Sequence, residues 1–344
     1  MSLPRAYGPA LGRAGFRRTP ADFEVEELLP FAADGDGPQQ LLQVRKTGAN
    51  TAFVAGRLAR HAGVPERDVG YSGLKDRHAV ATQYFTVPTP PGGVDWTTLQ
   101  AEGVEVLDAQ PHRRKLRRGS HRGNRFAIRV VDVSAPTTAI EDRLARIRQS
   151  GFPNYFGEQR FGHGNRQAWQ RLLAGDRRMN RNQRGFALSA LRADIFNTVL
   201  AQRVENGTWD QAQAGEPLML DGRGSWFVPE AIDADIQQRL ASGELHPSGP
   251  LAGRSKRELT GPAAELEAAV LARFEGLDAL CERLTLDADR RALRAMPTEF
   301  SAEPFDASDW MLRFVLPRGC FATALLQAVF DLVDLAAVPT IAEN

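Results

Sequence analysis

Cysteine is scarce in this 344-residue chain: Cys281 and Cys320 are the only two. Two cysteines cannot build a disulfide framework, and their rarity fits a reducing compartment. The six histidines, His61, His78, His112, His121, His163 and His246, stand neither in pairs nor beside cysteines. That spacing excludes the usual zinc modules, so no metal is expected. No apolar run approaches the roughly 18 residues that span a bilayer, which excludes a membrane helix. The first sixteen residues, MSLPRAYGPALGRAGF, lack the continuous apolar stretch and small-residue cleavage site of a secretory signal. A cytoplasmic protein with no membrane attachment is therefore expected. The chain also lacks an excess of either charge, with a net charge of +1. An even balance says nothing by itself about nucleic acid, but the distribution of cations does.

From Arg113 to Arg125 the sequence is RRKLRRGSHRGNR, seven cations without an acid. Arg113, Arg114, Lys115, Arg117 and Arg118 form its first part. A second island holds Arg177, Arg178, Arg181 and Arg184, and a third holds Arg254, Lys256 and Arg257. Basic islands on a neutral chain suit a phosphate-binding face opposed by acidic surface elsewhere.

The chain exceeds the usual size of one compact core, so two domains, or one domain with a large insertion, are expected. Up to about residue 135, β-like runs alternate with turns. Phe23–Glu27, Leu41–Val44, Gln83–Val87 and Phe126–Val133 read as strands, and Ala52–His61 and Thr138–Gln149 as helices. After Gly151 helical texture dominates, with Leu188–Val204, Ile232–Leu240 and one long segment over Ala263–Leu284. Near Pro297 the pattern reverts: Trp310–Leu316 reads as a strand and Phe321–Val333 as an apolar helix. This predicts a mixed α+β domain that begins at the N-terminus, is interrupted near residue 151, and is completed after about residue 298.

Within GYSGLKDRHA, residues 70–79, Asp76 stands between Lys75 and Arg77. An aspartate flanked by cations stays ionised, which suits a nucleophile or an electrostatic stabiliser and not a general acid; a solvated turn would read the same way. RGNRF at 122–126 joins a basic island to an amide and an aromatic ring at the mouth of a strand. Asn124 can read the hydrogen-bonding edge of a base and Phe126 can lie against its face, although each alone equally serves a turn or a core. PNYFGEQRFGHGN, 153–165, interleaves aromatic and polar residues on a glycine-rich loop. Its spacing is not that of a dinucleotide fingerprint. LPRGCFAT, 316–323, places Phe321 at a strand-to-helix junction.

Taken together, GLKDRHA, RGNRF, PNYFGEQRFG and LPRGCFAT, preceded by TPADFEVEE at 19–27, resemble the TruD family of tRNA pseudouridine synthases in both content and order. The resemblance runs from about Arg17 to the last apolar segment. It implies an α+β fold: a pseudouridine-synthase catalytic domain with a mixed, largely antiparallel sheet flanked by helices, residues 1–150 and 298–344, interrupted by an inserted α-rich α+β domain at 151–297. It also implies conversion of uridine to pseudouridine in tRNA, at position 13 of the D stem, without a cofactor; nothing in the sequence suggests an obligate protein partner, and a monomer is expected. Residue by residue, it makes Asp76 the nucleophile. Phe23, Asn124 and Phe321 become contacts to the target uridine, Phe126 the aromatic packed on the target base, and Arg17 the cation paired with the aspartate. Cys320 departs from the small polar residue expected there. Two other classes were open to the residues: a tRNA-binding chaperone, which would carry a broken G-x-K-D-R motif, and an aspartate hydrolase, which would need a base such as His78.

Overall fold

The computed structural model describes residues 3–157, 161, 165–176, 178–255 and 257–337. Arg177, Lys256 and, in the aromatic loop, residues 158–160 and 162–164 lie outside the described residues. In chain order the strands are β1 (Arg13–Phe16), β2 (Phe23–Leu28), β3 (Gln39–Thr47), β4 (Gly70–Tyr71), β5 (Val80–Pro88), β6 (Val104–His112), β7 (Gly123–Val131), β8 (Phe152–Pro153), β9 (Leu218–Leu220), β10 (Trp226–Phe227), β11 (Leu245–Leu251), β12 (Asp289–Ala292), β13 (Arg294–Ala295), β14 (Thr298–Pro304), β15 (Trp310–Pro317) and β16 (Asp331–Asp334). The helices are α1 (Thr51–Ala62), α2 (Thr137–Ser150), α3 (Asn165–Leu173), α4 (Arg181–Glu205), α5 (Ala234–Ala241), α6 (Pro262–Leu271), α7 (Leu277–Leu284) and α8 (Ala322–Gln327). By contact the chain forms two units. One comprises Leu11–Ala139, Pro297–Gly319 and the segment from Phe330; the other comprises the segment up to Ala10, Ile140–Met296 and Cys320–Val329.

The first unit is built on a ten-stranded sheet whose main path runs β14-β15-β7-β2-β5-β3-β6. Most ladders are antiparallel, while β2 pairs with β5 and β1 with β16 in parallel. Helix α1 lies on this sheet. It starts where the Asn50 side chain accepts a hydrogen bond from Phe53 N at 2.8 Å, and it stops at Gly63, whose φ of 67° is easy for glycine. Val54, Leu58 and Ala62 recur at i, i+4 and i+8 and bury one stripe of α1 against Leu42, Val44, Phe85 and Val87. Each large aliphatic or aromatic side chain so buried contributes about 1.5–3 kcal/mol.

The second unit is helical, with a four-stranded sheet, β10-β9-β11-β12, and the pair β13-β8. Its long helix α4 opens with a reciprocal Asn180–Gln183 cap and buries Leu191, Ile195, Val199 and Leu200. The helix expected over Ala263–Leu284 is two helices: α6 ends at Leu271, and Gly276, at φ 83°, stands at the start of α7, which begins a new register. The apolar helix expected over Phe321–Val333 ends at Gln327. Beyond it, Asp331–Asp334 forms a strand that completes the edge beside β1, with Phe16 opposite Asp334. Among the described residues no helix is long and apolar enough to cross a membrane.

Candidate active site

Strand pairing places a polar row on one face of the large sheet. Val44 pairs with Gln83 and Lys46 with Ala81; Val25 pairs with Ala81 and Phe126, and Glu27 with Asn124. Paired residues share a face, so Lys46, Gln83, Glu27 and Asn124 line up across β3, β5, β2 and β7. Lys46, Gln83 and Glu27 are fully buried. Buried polar groups need partners, and the loop from Ser72 to His78 supplies them.

Gln83 Nε2 donates to Gly73 O at 2.6 Å, and Lys75 N donates to Thr51 Oγ1 at 3.0 Å. Lys75 Nζ pairs with Glu27 Oε2 at 2.7 Å. Lys46 Nζ donates to the main-chain oxygens of Ala49 and Asp76 at 2.7 and 2.8 Å. Burial lowers the Lys46 ammonium from its ordinary value of 10.5 to about 8, against the opposing pull of the Asp76 carboxylate. Gly73 leaves the space this packing requires: a Cβ there would lie 3.2 Å from Lys75 Nζ and 3.3 Å from Glu27 Oε2. A loop tied at so many points holds the main chain of Asp76 in one place.

The Asp76 side chain, by contrast, is 42% exposed, and its carboxylate accepts no hydrogen bond from the described residues. Its one ionic neighbour is Arg17, with Nη1 at 3.5 Å from Oδ2. Arg17 itself is buried, sits in the left-handed region at φ 59°, and is gripped through Nε and Nη2 by both oxygens of Asp334. A left-handed non-glycine residue costs on the order of 1–3 kcal/mol, so the surrounding contacts hold this cation against strain.

Phe23 and Phe126 pack edge to face with ring centroids 6.0 Å apart, and Phe126 lies 5.4 Å from Phe314. Both are more than nine-tenths buried, which makes them a wall of the site and not free stacking faces. Asn124 follows Gly123, where a Cβ would meet Leu316 O at 2.5 Å; only glycine lets β7 approach β15 this closely. The Asn124 Oδ1 atom is buried and has no hydrogen-bond partner among the described residues. An unpartnered buried acceptor beside an aromatic wall is prepared for a donor that arrives with a ligand.

The structure thus gathers Asp76, Arg17, Phe23, Asn124 and Phe126 in one unit. Phe321 belongs to the other, where it caps the start of α8 and packs on Phe156 at 5.9 Å with the Arg291 guanidinium also 5.9 Å from its ring. Desolvation pushes the neighbouring Cys320 thiol up to about 11, so it stays protonated at neutral pH. Of the cations, Arg113, Arg114, Lys115, Arg117 and Arg118 are exposed on the first unit and Arg178, Arg181 and Arg184 on the second. Arg113 is engaged by Asp36, and Arg118 lies over the Tyr71 ring at 4.1 Å. The sequence reading missed Lys46, Glu27, Gln83 and Asp334.

Comparison with known proteins shows the family to which the chain belongs. The family model described as tRNA pseudouridine synthase D (TruD) matches residues 12–176 and 174–329. A tRNA pseudouridine synthase D of Methylococcus capsulatus is 43% identical, over 96% of this chain and 94% of its own. Those of Xanthomonas campestris and Proteus mirabilis are 44% and 38% identical and are covered over 96% of their lengths, matching 98% and 96% of this chain. In fold, the chain is similar to a crystal structure from Methanosarcina mazei provisionally described as tRNA pseudouridine synthase D, with a TM-score of 0.74 and 19% identity over 98% of this chain and all of that one. A whole-length family match and relatives above 40% identity lead to one conclusion: the chain belongs to the TruD family of tRNA pseudouridine synthases, which are isomerases.

Proposed function

We propose that this chain isomerises uridine to pseudouridine at position 13, in the D stem of tRNA, with Asp76 as nucleophile and without a cofactor, acting as a cytoplasmic monomer. The observation that supports this most is the contrast at Asp76. Its main chain is fixed by the Lys46 and Lys75 contacts, while among the described residues its carboxylate accepts no hydrogen bond and forms an ion pair with Arg17 alone. A nucleophile needs an unsolvated lone pair in a fixed place, and here the protein leaves that lone pair unused.

The substrate's glycosidic bond is inaccessible inside a stacked helix, so the uridine is flipped outward. Its N3–H is a donor suited to the open Asn124 Oδ1, and Phe23 and Phe126 form the wall on which the uracil rests. Because Asp76 is half exposed, the entering nucleoside displaces the water around it. Three routes fit the same geometry: attack on the anomeric carbon, attack on carbon 6 of the uracil, or elimination to a glycal. In each, the glycosidic bond breaks, the uracil rotates, carbon 5 bonds to the ribose, and the carbon 5 proton leaves. Substrate and product are isomers, so no electrons or donated groups are required. Phe126 has no basic atom, and the proton departs to Asp76 or to water. The part assigned to Phe321 rests on the family resemblance alone.

The test is an Asp76→Asn variant given tRNA labelled with tritium at carbon 5 of uridine. It should bind tRNA as the parent does and release tritium slower by roughly three orders of magnitude or more. Release at the parental rate would remove Asp76 from the reaction, and loss of pseudouridine at a site other than 13 in cells lacking the protein would reassign the target.

A further inference from the structure

Beside the basic island at 113–118 the first unit has a pocket of about 960 Å³ that none of the chemistry above uses. Its floor is a stacked pair: the rings of Phe31 and His112 lie 5.5 Å apart at an interplanar angle of 6°. His112 is buried, whereas Phe31 is 40% exposed. One face of Phe31 is therefore backed by a ring while two-fifths of the residue stays open to solvent.

The stack is braced. His112 Nδ1 lies 2.8 Å from Asp34 Oδ2, an ion-pair distance off the line of a hydrogen bond, and Arg113 N donates to the same oxygen at 2.9 Å. The Arg113 side chain closes on Asp36 at 2.7 and 2.9 Å. Gly37, at φ 119°, lets the loop reach the strand end, since a Cβ there would meet His112 O at 2.5 Å. Both acids of the loop are thus occupied. Arg114 and Arg117, exposed at the rim, have no side-chain partner among the described residues.

A rigid aromatic platform with unneutralised guanidiniums at its edge matches one ligand chemistry: a nucleobase to stack and its phosphates to pair. We propose that this pocket holds an unpaired nucleotide of the tRNA, stacked on the open face of Phe31 with its flanking phosphates on Arg114 and Arg117. This rests on the reading that the chain binds tRNA, and it adds a second base-holding site to the one at Asp76. Since every base offers a π face, the site selects for an unstacked position in the RNA and not for one base.

Ultraviolet cross-linking of the protein to a tRNA transcript, mapped by mass spectrometry, should join a nucleotide to Phe31 or to the 112–117 segment. Phe31→Ala should abolish that cross-link, weaken tRNA binding about tenfold and raise KM while leaving kcat at saturating tRNA unchanged. Phe31→Trp should restore both. Arg114→Ser with Arg117→Ser should lower the slope of log affinity against log salt by about 1.5. Parental binding and cross-linking by Phe31→Ala, or no rescue by tryptophan, would overturn the proposal while leaving the activity at Asp76 intact. A parental protein that binds tRNA and forms no pseudouridine would instead count against Asp76 and leave this site standing.

Discussion

The ammonium of Lys46 donates to the main-chain oxygen of Asp76 at 2.8 Å, so a buried cation on β3 fixes the residue proposed as the nucleophile. Because burial lowers this ammonium to about 8, stability and activity respond to pH in opposite directions. Between about 8 and 10.5 the folded chain has released the Lys46 proton and the unfolded chain retains it. The unfolded state then binds more protons, and the contribution of Lys46 to stability rises with pH across that window. The rate should fall across it, because the charge next to Asp76 is lost. Urea unfolding and single-turnover rates at several pH values measure both, and Lys46→Met should remove both dependences while leaving carbonyls unpaired at a cost of about 1–3 kcal/mol.

The Lys75–Glu27 pair is almost free of solvent. Removing one partner strands a buried charge, so Lys75→Met and Glu27→Leu should each destabilise by about 3–5 kcal/mol. The double variant should lose much less than the sum. Additive losses in urea titrations would show that the two charges are not coupled.

Asn124→Ala makes a different separation. The substitution deletes a buried oxygen that has no partner among the described residues, so Tm should not fall. The KM for tRNA should rise roughly tenfold if that oxygen accepts from the uracil. A Tm drop with unchanged KM would make Asn124 structural.

Arg178, Arg181 and Arg184 are exposed near the start of α4. Changing these and Arg177 together to Glu should weaken tRNA binding and flatten its salt dependence, by about 0.7–0.9 in log-log slope for each phosphate no longer neutralised. Unchanged affinity would make the island ordinary surface charge.

Much of this was legible in the residues, and the rest was hidden for identifiable reasons. Alternation marked β2, β-branched and aromatic content marked β5 and β7, an apolar face marked α1, and i, i+4, i+7 spacing marked α2. The same alternation carried a signal that went unread: in Leu42, Val44, Lys46 and again in Phe23, Val25, Glu27, a charged residue falls on the buried face. A charge in register with a core stripe marks a buried network, and that network is what holds Asp76. Asp334 gave no such sign, since its partner Arg17 is distant in sequence and meets it only through a parallel pairing of strands. The break at Gly276 was overlooked because alanine, leucine and glutamate favour helix on both sides of it.

That parallel pairing also orders events in time. Arg17 is made early, and the carboxylate that grips it is made 317 residues later. A growing polypeptide that already contains Asp76, Asn124 and Phe126 still lacks β16, and its Arg17 is without the two-point grip of Asp334 that fixes it beside Asp76. The ribosome must therefore pass Asp334 before the site can close, and a product truncated ahead of Asp331 would have the motifs of an enzyme without its ordered cation.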